Sequence, residues 1–222
     1  IFESKLVMDP NPIKDDYFYQ NGALRATNPE SPELLHIPLS GIKQNCDIKV
    51  LVIIHCFYLD VAEDILIRLK KRENNFKIIL TTNTDAKKNE LINLADKLAI
   101  IVDIRVYRNR GRDVEPMLKV LLEFGNTYEY VLHLHTKKSP HNTAHDSWGE
   151  HLFQGLIGSE DIIDSNIYLL SQDNVGVVYQ EHHESVIGLR NWGYNFDKLK
   201  ALLAPRIDIS SNNLLEFPTG TM

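Results

Sequence analysis

Two short polar segments carry the residue types best suited to chemistry. The first, Asn109-Arg-Gly-Arg-Asp113, sets two guanidiniums and a carboxylate around a glycine, just ahead of a helical pattern that starts at Val114. Arg110 and Arg112 could grip phosphate oxygens bidentately, aided by the positive end of that helix. Asp113 could accept hydrogen bonds from a sugar hydroxyl; equally, it could be only the helix N-cap, with Pro116 tolerated in the first turn. The second segment is His133-Leu-His135-Thr-Lys-Lys-Ser139. Strand alternation puts His133 and His135 on one face, where they could ligate a divalent metal, touch phosphate or sugar, or be satisfied histidines at a sheet edge. No carboxylate adjoins them, and Lys137 and Lys138 would repel a metal and attract phosphate. No metal is therefore assigned, and His133 and His135 become ligands only if one is used.

Other polar clusters say less. His141, His145, Asp146 and His151 match no common ligand spacing and read as solvated loop residues. Glu181, His182 and His183, followed by Glu184, could supply a general base or be an exposed polar loop. GxSxG, HExxH, Walker A and GxGxxG patterns are all absent, so triad-hydrolase, zincin, P-loop and dinucleotide readings lack support.

The elements that must position these residues follow from hydrophobic period. Lys49 to His55 is a continuous apolar, β-branched run, as in a strand buried on both faces of a parallel sheet. Asp60-Val-Ala-Glu63 resembles a capping box, and Ala62, Ile65, Leu66 and Leu69 stripe the helix after it, with Lys70, Lys71 and Arg72 at its end. The unit repeats. Strands are expected at Phe76–Leu80, Ile100–Val106, Tyr130–His135 and Val175–Tyr179. Helices are expected around Leu91–Leu98, Val114–Leu122 and Trp148–Leu170. Alternation at this spacing specifies an α/β fold, a single doubly wound, mostly parallel, Rossmann-like sheet. In such a sheet ligands sit outside the carboxyl ends of the strands. That edge collects His55, Phe57 and Tyr58, then Thr81 to Asp85 with Asn83, then Asn109 to Asp113, then His133 to Ser139.

Composition sets the outer bounds. The 222 residues suit one α/β domain or at most two small ones; residues 1–47, broken by Pro10, Pro12, Pro29, Pro32 and Pro38, read as an arm or linker, and 48–222 as the domain. Hydrophobic residues at 43% and charged residues at 24% are ordinary for a soluble protein. A net charge of −6 disfavours a nucleic-acid partner, and no apolar run approaches the ~20 residues of a membrane span. Cys46 and Cys56 form no zinc or disulfide pattern, and reduced, cytoplasmic thiols fit best. The chain starts at Ile1 and stops at Met222 straight after Phe-Pro-Thr-Gly-Thr, so it reads as an excerpt of a longer protein.

Four motifs in order, Asn109-Arg-Gly-Arg-Asp113, Leu134-His-Thr-Lys-Lys-Ser139, Asn191-Trp-Gly-Tyr194 and Phe217-Pro-Thr-Gly-Thr-Met222, resemble those of the rhamnan synthesis protein F family, over the span from about Lys49 to the last residue. The family's usual ending resembles FPAGSMFW; Thr219 and Thr221 depart from it, and the chain stops just inside it. The resemblance implies a GT-A-like glycosyltransferase of bacterial surface polysaccharide synthesis, using a nucleotide-sugar donor with dTDP-L-rhamnose the natural candidate. It also implies a glycan or lipid-linked glycan acceptor, and work in the cytoplasm at the inner face of the membrane. GT-A enzymes usually carry Asp-x-Asp on the fourth strand to hold Mn²⁺ or Mg²⁺; here that place is taken by His133-Leu-His135. Under this resemblance Arg110, Arg112 and Lys137 would neutralise the leaving diphosphate. His55, Tyr58, Asn83, Asn109, Asp113 and His135 would line the donor site. Glu181, His182 and His183 would be candidates for the catalytic base. Trp192, Thr219 and Gly220 would lie on the acceptor side. The alternative is a glycan-binding module that kept the fold without catalysis; it predicts no nucleotide affinity.

Overall fold

A computed structural model describes residues 36–42, 48–124, 127–136, 146–183, 186, 196–203 and 209. The chain divides into two units, Leu35–His183 with Pro218–Met222, and Ile1–Leu34 with Glu184–Phe217. In the first, β1 (Val50–His55), α1 (Leu59–Lys70), β2 (Phe76–Thr82), α2 (Asp85–Leu98), β3 (Asp103–Val106), α3 (Val114–Phe124) and β4 (Tyr130–His135) alternate, and α4 (Asp146–Ile157) and α5 (Glu160–Leu170) follow. In the second, α6 (Phe196–Leu203) buries Phe196 with Ile209, Leu199 and Leu203.

The four strands form one parallel sheet in the order β3-β2-β1-β4. β1 is central, and five of its residues, Val50 to Ile54, are buried, which is why its sequence is apolar without alternation. Side chains on either face of β1 meet different helices. Val50, Val52 and Ile54 pack with Ala62, Ile65 and Leu66 of α1, Leu91 of α2, Phe153 of α4 and Ile163 of α5. Leu51 and Ile53 pack with Ile79 of β2, Val120 of α3 and half-buried Met117 and Leu121. The sheet is covered on both sides, as the sequence pattern requires of a doubly wound α/β unit. The chain builds outward from β1 to β2 and β3, then crosses back to place β4 on the other side of β1. That reversal opens a crevice between the carboxyl ends of β1 and β4.

Several local expectations change. β3 starts at Asp103, not Ile100, because α2 ends in a left-handed cap at Ala99 (φ 49°) and Ile100 donates its N–H back to Ala95. The Trp148–Leu170 stretch is two helices, broken after Gly158 by Ser159, whose hydroxyl caps α5 through the Ile162 N–H (3.2 Å). The capping box expected at Asp60–Glu63 does not start α1, which begins at Leu59 with Tyr58 at the N-cap. Val175–Tyr179 is not a fifth strand: the run carries Gly176, Val177 is 63% exposed, and none of it joins the sheet. A strand without a buried face has no apolar drive to dock. Of the N-terminal arm, residues 36–42 are described, and Leu39 donates its N–H to the Ser165 hydroxyl of α5 (2.9 Å).

No helix among the described residues is long and apolar enough to cross a membrane. Cys56 is a buried free thiol, and burial pushes its pKa up, so it packs without reacting.

Candidate active site

The crevice is built from strand ends. Register places Thr81 of β2, His55 of β1 and His135 of β4 side by side. Because Leu51 and Ile53 face α3, period-2 alternation puts His55 on that side too, with His133 and His135 beside it. His55 Nδ1 lies 2.9 Å from the Thr81 hydroxyl, which fixes the ring. The rings of His133 and His135 stand 6.5 Å apart at an interplanar angle of 62°.

α3 brings its first turn to the same place. Asp113 immediately precedes Val114, its carbonyl accepts from Met117 N (3.2 Å), and its carboxylate lies near enough to His55 to favour the charged ring. Asp113 thus occupies the N-cap position and faces the crevice at once. The turn before it is left-handed twice over, at Gly111 (φ 69°) and Arg112 (φ 53°). A Cβ at position 111 would sit 2.4 Å from the Glu115 Cβ, so glycine is required there.

The guanidiniums of this turn differ from three others, although Arg108 just before it is likewise exposed and forms no ion pair among the described residues. Arg68 pairs with Asp64 and Glu150, Arg72 with Asp164 and Glu160, and Arg105 with Asp103 and Glu123. Arg110 and Arg112 are exposed and form no ion pair among the described residues; Glu115, which feels the charge of Arg110, is hydrogen-bonded to Lys119 (2.7 Å). Exposed guanidiniums not engaged in an ion pair among the described residues can meet an anion. Asn109 is likewise exposed. Asn83 is half-buried, and its buried Oδ1 has no hydrogen-bond partner, leaving an acceptor at the end of β2.

The β1–α1 turn forms the next wall. The rings of Phe57 and Tyr58 meet edge to face at 5.1 Å, and the Lys87 ammonium stands 3.3 Å from the centroid of Phe57. A shallow hollow lies between Phe57, Tyr58, Lys87 and Glu90. Lys87 also bears on His55. Sequence reasoning did not single out Lys87 or Thr136. The signal for Lys87 was its place three residues after Thr84, whose hydroxyl caps α2 at this edge through the Lys87 N–H (3.3 Å).

His183 and the Glu181 carbonyl meet α4, next to His182. His182 is buried beside Tyr179, with ring centroids 5.9 Å apart, and His183 Nε2 lies 3.0 Å from the Ser147 hydroxyl. The His151 Nε2–H donates to the Glu181 carbonyl (2.7 Å), and the rings of His151 and His183 meet at 5.2 Å. These contacts run to α4, whereas those of the rim run among β1, β2, β4 and α3. Lys137, His141, His145, Trp192, Thr219 and Gly220 lie outside the described residues, as does the side chain of Asp146. No group of three or more His, Cys, Asp or Glu converges among the described residues.

Burial lowers the pKa of His55, with the opposing pull of Asp113 partly offset by His135 and Lys87. The folded ring therefore binds its proton less readily than the unfolded one at 6.5, and more protons are bound on unfolding in the window just below that value. Stability is expected to fall as pH drops through 6.5. Thermal melts should show wild type losing more of its midpoint than His55→Asn as pH falls through that value; equal losses would mean that His55 does not titrate this way.

The rhamnan synthesis protein F family matches residues 18–205, beginning inside the segment read as an arm and ending before Phe217-Pro-Thr-Gly-Thr-Met222. Two curated relatives, both called "Uncharacterized protein WxcX" and from two strains of Xanthomonas campestris pv. campestris, are 31% and 30% identical over 142 residues, or 62% of this chain. The chain spans about a fifth (20%) of the length of those relatives. No solved structure matches. With the four motifs in order and a family match covering most of its length, the chain belongs to the rhamnan synthesis protein F family.

Proposed function

We propose that this chain is the donor-binding part of a GT-A-like glycosyltransferase that transfers a sugar, with rhamnose from dTDP-L-rhamnose the first candidate, to a growing bacterial surface polysaccharide on a lipid-linked acceptor. Family membership supports a role in polysaccharide synthesis. The observation that carries the finer reading is the pair of exposed arginines, with no ion pair among the described residues, on the left-handed turn into α3 whose Asp113 bears on His55.

In the proposed reaction the acceptor hydroxyl attacks the anomeric carbon, the bond to the nucleoside diphosphate breaks, and negative charge collects on the departing phosphate. Arg110 and Arg112, joined by Lys137, meet that charge with fixed donors. His55, neutral at pH 7 and anchored on Thr81, and Asp113 hold sugar hydroxyls; Asn83 and Asn109 add donors and acceptors at the same rim. Phe57 and Tyr58 offer an aromatic surface to the nucleobase. The base that takes the acceptor proton is sought among Glu181, His182 and His183.

A divalent cation of the usual GT-A kind has a poor donor set here. Mn²⁺ and Mg²⁺ prefer carboxylate and other oxygen ligands, and the fourth strand presents two imidazoles. The proposed charge neutralisation is therefore assigned to the arginines. Calorimetric titration of dTDP and UDP, each with Mn²⁺ and with EDTA, tests both points. Binding that survives EDTA is expected. Loss of binding in EDTA would return His133 and His135 as ligands, and no nucleotide binding alongside glycan binding would favour the non-catalytic module.

A further inference from the structure

Thr136, the first residue after β4, is 1% exposed and lies at the parting of β1 and β4. Its backbone N–H donates to the His55 carbonyl (3.0 Å). Its hydroxyl accepts from Phe57 N (2.7 Å) and Tyr58 N (2.9 Å) and donates to the same His55 carbonyl (3.4 Å). One proton and two lone pairs are thereby all used on a single turn. That turn starts α1, and Tyr58 at the N-cap makes no side-chain cap hydrogen bond of its own. The residue just after β4 thus holds the turn that precedes α1, and in doing so it ties together the two walls of the crevice.

We propose that Thr136 is a positioning residue for donor binding: its hydroxyl fixes the Phe57–Tyr58 turn relative to His55 and His135, and so sets the width of the crevice that receives the nucleotide. This rests on the donor reading above. Thr136 touches no reacting atom in that role; it acts through the turn it holds. The demand is for a hydroxyl on a short side chain, which valine matches in shape but not in hydrogen bonding.

The test is calorimetric titration of dTDP and UDP into the full 222-residue chain and its variants, with thermal midpoints measured beside it. Thr136→Val should weaken nucleotide binding about tenfold or more, since two N–H groups lose their partner and the turn is free to shift. Thr136→Ser should bind as wild type. Ser165→Ala is the matched control. Ser165 is also fully buried, accepting from Leu39 N (2.9 Å) and donating to the Asp161 carbonyl (2.6 Å), but it pins α5 rather than the crevice. It should lower the thermal midpoint and leave affinity within twofold. If Thr136→Val does not fold, Thr136→Ala, which leaves room for a water to replace the hydroxyl, should still weaken binding, though by less. Valine or alanine variants that bind as wild type overturn the proposal. So does a Ser165→Ala variant that loses as much affinity for the same drop in midpoint. Wild-type protein that binds neither nucleotide overturns the donor reading itself, and this inference with it.

Discussion

Arg112→Gly should lose most nucleotide affinity while the protein stays at least as stable as wild type. Arg112 sits at φ 53°, a left-handed conformation that disfavours any residue with a Cβ. Glycine adopts it freely, so the substitution relieves about 1 kcal/mol of backbone strain. Its side chain is exposed and holds no ion pair among the described residues, so nothing structural is left unpaired. What goes is the guanidinium that the proposed function assigns to the diphosphate. A charge-assisted hydrogen bond contributes about 1.5–3 kcal/mol, or roughly 10- to 150-fold in affinity. Lys71→Ala, at the far end of α1 and the opposite edge of the sheet, removes the same charge and should leave affinity within twofold. Equal losses in both variants would mean that only the overall charge matters, and the phosphate site would have to be placed elsewhere. The comparison requires only titration and a thermal melt.

The largest stability effect is expected from Ile53→Ala. Ile53 lies in the middle of β1, has no solvent exposure, and is in register with Ile79 on one side and His133 on the other. Removing three carbons there loses their transfer free energy and leaves a cavity that a close-packed sheet cannot collapse around. The cost should be about 3–4 kcal/mol, lowering the thermal midpoint by roughly 10 °C in a domain of this size. Ile101→Ala, at a position 91% exposed, should shift the midpoint by under a degree or two. If the two variants melt together, β1 is not the core of this sheet.

The long elements were legible in the sequence because they are governed by burial. Val50 to Ile54 read as a strand covered on both faces, and both faces are covered. The stripe Ala62, Ile65, Leu66, Leu69 read as the inner face of a helix, and all four are buried. The failures share a cause as well. Val175–Tyr179 had the composition of a strand, yet whether an apolar run pairs depends on an open strand edge in the right place, which a local window does not contain. The capping box at Asp60 failed because α1 starts earlier, at Leu59, after a turn whose Phe57 and Tyr58 N–H groups are held by Thr136 some eighty positions away.

For the candidate site, the sequence by itself determined which residues stand at the carboxyl edge, since that follows from strand ends and parallel order: His55, Asn83, Asn109 to Asp113, His133 and His135. The requirement for glycine at 111 came from the structure, where a Cβ would meet Glu115. Only the tertiary structure decided that Asp113 bears on His55, that Lys87 stands over Phe57, that Thr136 binds the β1–α1 turn, and that His183 and the Glu181 carbonyl meet α4. The physical reason is one of range. Hydrophobic period is written every two or four residues and survives in any local window, whereas a hydrogen bond between Thr136 and Phe57 spans 79 positions and exists only once the chain has crossed back over its own sheet.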